Sequence, residues 1–183
     1  MTLIQAAGKH VGELHQAAAH AAGIFKGRRR FQKRTAQGAA AGQGHGHRHA
    51  VFSIGFNGNH AAVAIGFPPE QVFKTLVARG PKRGIMVFCI PVCCELDLKK
   101  AAKAAGDKNM EMVAVKELLG LTGYIRGGCS PVGMKKKFPT YFDETCILWD
   151  EIAVSAGARG HQMIVPPESL ADLVGGKIVD IIL

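Results

Sequence analysis

Val72-Phe-Lys-Thr-Leu-Val-Ala78, Gly80-Pro-Lys-Arg-Gly84 and Ile85-Met-Val-Phe-Cys-Ile90 run almost end to end, with Arg79 alone between the first two. The first stretch is rich in β-branched and aromatic residues and reads as a strand carrying Lys74. The second is a tight reversal, because glycine and proline punctuate it at both ends. The third is nearly uninterrupted apolar, as expected of a central strand buried on both faces. Together they predict a β-hairpin, and that hairpin decides the fold class.

Outward from the hairpin the chain stays regular. Pro68-Pro69-Glu70 is a turn or short helix start. Glu95 to Ala105 sets Leu96, Ala101, Ala104 and Ala105 against Lys99, Lys100 and Lys103, a helix closed by Gly106. Met110 to Val115 predicts a short strand, and Val115 to Leu121 a short helix ending near Gly123. Ile152–Ser155, His161–Val165 and residues 177–182 read as strands, with a helix over residues 168–174 opened by Pro166-Pro167. The pattern is mixed α/β with strands exceeding helices.

The first third differs in composition. The chain has 183 residues, room for one domain, and 48% of it is apolar, with no run able to cross a bilayer. The net charge is +9. Residues 1–69 hold eight bases and one acid, Glu13, and the rest of the chain holds 15 bases against 13 acids. The first third therefore carries +7 and the remainder +2. Residues 3–25 have a loose amphipathic tendency suited to a helix, Lys26 to Arg34 is a basic run, and the Gly/Ala/Gln/His stretch from Ala36 to Ala50 predicts a mobile segment. His45-Gly-His-Arg-His49 is not read as a metal site, since glycine between imidazoles fixes none of them in space. A transit peptide or an RNA-gripping arm are functional readings of this third, and an unstructured solvated tail is the plainer one.

The most informative loop is Thr122-Gly-Tyr-Ile-Arg-Gly-Gly-Cys-Ser-Pro-Val-Gly133. Four glycines and a proline exclude helix and long strand, leaving a loop whose backbone amides can hold a carbonyl oxygen or a phosphate. Lys135-Lys136-Lys137 follows, three bases able to face nucleic-acid phosphate or simply to be solvated. A second glycine loop, Ser155-Ala-Gly-Ala-Arg-Gly160, lies between two predicted strands. The five cysteines (Cys89, Cys93, Cys94, Cys129 and Cys146) form neither a disulfide framework nor a zinc ribbon, which fits reduced thiols. Cys129 in its loop is read as an incidental buried thiol rather than a nucleophile, since no histidine is near it in sequence.

These motifs in this order carry a resemblance: Glu70-Gln-Val-Phe-Lys-Thr-Leu-Val77, Glu95-Leu-Asp-Leu-Lys-Lys100, Leu121-Thr-Gly-Tyr124, Gly127-Gly-Cys-Ser-Pro131, Lys135-Lys-Lys-Phe-Pro-Thr140, and Val154-Ser-Ala-Gly157 with Arg159-Gly160. Over about residues 62–183 the chain resembles the YbaK/EbsC family of prolyl-tRNA editing proteins, above all the free-standing Cys-tRNA(Pro) deacylases. The resemblance implies an α/β (mixed α+β) fold, a curved, barrel-like mixed sheet flanked by helices, and residues 1–61 stand apart as an atypical, poorly ordered segment. It implies catalytic roles for Lys74, Gly127, Gly128 and Ser155. It implies substrate contacts at Thr75, Tyr124, Ser130, Pro131, Gly157, Arg159 and Gly160, and tRNA contacts at Lys135, Lys136 and Lys137. No cofactor and no metal are expected. The implied partners are aminoacylated proline tRNA and prolyl-tRNA synthetase, the implied location is cytoplasmic, and the implied state is a monomer or weak dimer. In cysteine-specific members the substrate's own sulfur attacks its ester carbonyl, so no protein nucleophile is called for.

Three departures qualify the match. The family places a tyrosine about two dozen residues before the lysine, and this chain has none before Tyr124. Gln162 stands where an acidic residue occurs in the family, so that carboxylate's role is not carried over. Residues 1 to about 60 lack the family's pattern and are read as an out-of-frame translation, with a transit peptide or a genuine extension as alternatives. A tRNA-end binding module without activity, or an editing domain for another small amino acid such as alanine, are the competing functions.

Overall fold

The computed structural model describes residues 51–53 and 58–183. The expectations for residues 3–25, 26–34 and 36–50 fall outside the described residues. Among those described, eight strands and four α-helices occur. In chain order they are β1 (Val51–Ser53), α1 (Gly58–Ile65), β2 (Val72–Gly80), β3 (Gly84–Pro91), α2 (Leu98–Ala105), β4 (Glu111–Met112), α3 (Val115–Thr122), β5 (Thr140–Asp143), β6 (Ile152–Ser155), β7 (His161–Val165), α4 (Pro167–Val174) and β8 (Lys177–Val179). Single 3-10 turns precede β2 and follow β5.

The predicted hairpin is the centre of the sheet. β2 and β3 pair antiparallel from Phe73↔Pro91 to Gly80↔Gly84. Seven strands run in the order β1-β7-β6-β2-β3-β5-β8, and β4 adds to β2 off that path. The β2–β6, β3–β5 and β5–β8 pairs are parallel, and the rest are antiparallel.

Residues of β3 divide between two cores by alternation. Val87 and Cys89 pack with Phe73, Phe142, Val154 and Leu170 of α4. Met86, Phe88 and Ile90 pack with Ala101, Ala102 and Ala105 of α2, and with Tyr141 and Ile181. Phe88 and Tyr141 stack with ring centroids 5.3 Å apart, a contact worth about 1 kcal/mol beyond its buried area. A third cluster seats Ala62 of α1 on Val72, Ala153 and Ile164.

Local chemistry sets the element ends. The second predicted helix starts at Leu98 rather than Glu95, because the Asp97 carboxylate accepts the Lys99 and Lys100 amides at 2.8 and 3.1 Å and so caps it there. Leu96 is then free to bridge Ile182. The strand predicted for residues 177–182 closes at Val179. No strand is predicted over Thr140–Asp143, where only Thr140 closes a motif, yet it is a fully buried strand.

Asp143 ends that strand and ties down the C-terminal segment. Its side chain is buried, accepting the Thr145 amide at 3.1 Å and hydroxyl at 2.7 Å on one oxygen and the Ile181 amide at 3.1 Å on the other. Asp143→Ala strands the Ile181 donor and removes a cap, and is expected to cost about 2–4 kcal/mol, read by urea unfolding followed by circular dichroism.

Candidate active site

The outer edge of β2 is shared by two strands that do not meet. At its start Val72 and Phe73 pair with Ala153 and Val154 of β6, and at its end Ala78 and Arg79 pair with Met112 and Glu111 of β4. Between these pairings the sheet is split. The Val72 carbonyl accepts the Val92 amide on the β3 side, and the Val77 carbonyl accepts the Val113 amide on the opposite side. Ladder alternation puts the Thr75 N–H and C=O on the Val77 side, facing the gap.

A cavity of about 1040 Å³ opens at the split. Lys74, Thr75, Gly127, Ser155, Arg159 and Gly160 line it, all of them expected site residues, together with Val92, Glu95, Arg126, Cys129 and Gln162. The Lys74 ammonium donates to the Val92 carbonyl and to Glu95 Oε1, each at 3.4 Å, and its side chain is 27% exposed. The Thr75 hydroxyl lies 3.8 Å from the Cys89 sulfur.

Ser155 and Gln162 face each other across the β6–β7 ladder, at 8% and 9% exposure. Ser155 Oγ and Gln162 Oε1 are buried side-chain oxygens with no hydrogen-bond partner among the described residues. Buried polar atoms are almost always paired, so two orphans in one cavity mark where a ligand's polar groups belong. Sequence reasoning noted Gln162 only as a departure from the family's acidic residue and gave it no role. The signal was its parity in β7, where it shares the inward face with Ile164.

The tRNA editing family model, described as the aminoacyl-tRNA editing domain, matches residues 59–173. The chain belongs to this family. The proposed Cys-tRNA(Pro)/Cys-tRNA(Cys) deacylase EbsC of Enterococcus faecalis is 50% identical over 120 residues, covering 66% of this chain and 73% of its own length. A proline–tRNA ligase of Shouchella clausii is 29% identical over 106 residues, only 18% of its length. A solved structure described as a trans-editing enzyme for prolyl-tRNA synthetase superposes with a TM-score of 0.69 at 28% identity, covering 74% of this chain and 87% of that one.

The remaining expected residues of this editing domain build its loops rather than line its cavity. Gly128 donates its amide to the Ile125 carbonyl at 3.0 Å, and a Cβ there would lie 3.1 Å from the backbone of Ala158 and Arg159. Gly128 thus lets the two glycine loops touch, while Gly127 reaches the cavity. Arg159 reinforces that contact, its Nε donating to the Arg126 carbonyl at 3.0 Å. Tyr124 is a clamp, its hydroxyl donating to the Val132 carbonyl at 2.6 Å while its ring packs against Gly157, where a Cβ would come within 2.9 Å. Ser130 and Pro131 are buried, and Ser130 Oγ accepts the Val132 amide at 3.3 Å.

Lys135 donates to the Leu119 carbonyl at 3.2 Å, so it satisfies the C-terminal end of α3. Lys136 and Lys137 are exposed, and none of the three lines the cavity. Cys129 does line it, but burial pushes its thiol up to about 12, which keeps it protonated. Tyr124→Phe removes the bond to Val132 and is expected to cost about 1 kcal/mol in urea unfolding, with the far-ultraviolet spectrum unchanged.

Proposed function

We propose that this editing domain is an aminoacyl-tRNA deacylase acting in trans on Cys-tRNA(Pro), with the Lys74 cavity as its active site. The observation that carries the reading is the pair of orphaned oxygens, Ser155 Oγ and Gln162 Oε1, buried in the same cavity as Lys74. The ammonium of an aminoacyl group has donors only, and on leaving water for a cavity it needs acceptor oxygens of this kind. The 50% identity to the Enterococcus faecalis protein supports cysteine as the residue removed.

The chemistry follows from the donors present. The substrate sulfur adds to its own ester carbonyl, the bond from that carbon to the ribose oxygen breaks, and the ribose oxygen takes the thiol proton. The products are a thiolactone and a free tRNA end. The protein's task is to hold the sulfur against the carbonyl and to stabilise the oxyanion. Lys74 and the Thr75 amide at the sheet split suit that second role, and Gly127 brings a further stretch of backbone to the cavity. A protein thiolate is not needed, in keeping with the protonated Cys129. Lys136, Lys137 and Arg126 offer contacts for tRNA phosphates, and prolyl-tRNA synthetase is the source of the mischarged substrate.

Deacylation of Cys-tRNA(Pro) and Ala-tRNA(Pro), followed as loss of labelled amino acid, tests the reading. Turnover is expected on the cysteinyl substrate, lowered about 100-fold by Lys74→Ala. Binding of charged tRNA with no turnover by the unmodified protein would instead mark an inactive binding module, and preference for the alanyl ester would reassign the substrate. Cys129→Ser is expected to keep turnover, whereas a collapse to the uncatalysed rate would make the thiol a nucleophile after all.

A further inference from the structure

One segment holds both acceptors of the Lys74 ammonium. The Val92 carbonyl and the Glu95 carboxylate lie on either side of Cys93-Cys94, in the turn that leaves β3 at the rim of the cavity. Cys93 is exposed, Cys94 half-buried, and their sulfurs are 3.8 Å apart. Cys89, Cys129 and Cys146 are buried. The two thiols that solvent can reach are therefore adjacent, and they sit between the two groups that place the site lysine.

We infer that Cys93-Cys94 is a modification site that takes a hydroperoxide and closes to a vicinal disulfide, drawing the Val92 and Glu95 acceptors away from Lys74. The Cys93 sulfur attacks a peroxide oxygen, the O–O bond breaks, and water leaves with the thiol proton, giving a sulfenic acid. The Cys94 sulfur then attacks that sulfur, the S–O bond breaks, and the departing hydroxide takes the Cys94 proton as a second water. Two thiols and one hydrogen peroxide thus become one disulfide and two waters, and a dithiol reductant reverses the change by exchange.

The order of attack and the effect on Lys74 both follow from the surroundings. Burial, then the hydrogen bond and charge of Cys93, push the Cys94 thiol up to about 11, so the exposed Cys93 reacts first and Cys94 resolves it. The peptide between them holds adjacent Cα atoms about 3.8 Å apart, below the roughly 4.4–6.8 Å that disulfides prefer, so closing the eight-membered ring throws strain onto the torsions of the turn. Its backbone cannot twist without moving Val92 or Glu95. Burial pushes the Cys129 and Cys146 thiols up to about 12, which leaves the turn as the reactive place.

The effect on turnover rests on the deacylase reading, but the disulfide does not, and the two are measured separately. The full chain is treated with hydrogen peroxide, quenched, mapped by mass spectrometry and assayed on Cys-tRNA(Pro). The peptide holding both residues is expected to become lighter by two hydrogens and to recover in dithiothreitol. Deacylation is expected to fall about 10- to 100-fold and recover in parallel. Cys93→Ser, shown folded by circular dichroism, is expected to keep the reduced rate and to resist peroxide. Sulfonic acids or intermolecular dimers in place of the internal disulfide overturn the site. A disulfide with unchanged deacylation, or equal peroxide sensitivity in Cys93→Ser, overturns the coupling to Lys74. A reduced protein with no deacylase activity counts against the function alone, since the mass map still decides the disulfide.

Discussion

Everything at the site depends on an unfinished strand edge. β2 is the longest strand among those described, and its β3 side is paired along its whole length. Its other side is divided between β6 and β4. Backbone amides and carbonyls inside a protein are nearly always satisfied, so an open stretch in the middle of a sheet is tolerated only where water or a ligand completes it. The cavity exists because β6 stops at Ser155 and β4 is only two residues long. The two glycine loops then wall the opening instead of filling it.

Those loops are held together by close approach. Gly128 lets one lie against the backbone of the other, Arg159 spans back to the Arg126 carbonyl, and Tyr124 bolts the Val132 segment beneath them. A rigid frame of this kind keeps the ends of Lys74, Ser155 and Gln162 in fixed relation, which is what an enzyme acting by orientation requires. The loops contribute stiffness as much as ligand contacts.

The sequence made the hairpin, β6, β7 and the proline-opened α4 readable, because their apolar periods and punctuating residues agree with the final packing. Thr140–Asp143 was harder, since four residues after a lysine run and a proline carry too short a period to separate from loop, and only partners distant in the chain make them a strand. At the site, Lys74 and Gly127 were legible through their motif context. Gly128, Tyr124 and Lys135 read as ligand contacts, and their part in loop packing was not legible, because the same residue types serve both. Gln162 was visible only as the place of a missing carboxylate, and the gap at Thr75 not at all. Each depends on which strands end early, a property of three-dimensional pairing and not of any local window.

The parallel pairings also govern the order in which this site can assemble. Val72 meets Ala153, Val87 meets Thr140, and Tyr141 meets Lys177, so segments far apart in the chain must come together before the sheet is complete. Pairings of such wide sequence separation fold slowly and late. During synthesis the Val87–Cys89 face of β3 therefore waits for β5, β6 and α4, although β2 and α2 are at hand from the start. Loss of the final segment, which holds none of the cavity's residues, would still strip β5 of its outer partner and so loosen the sheet that carries the cavity.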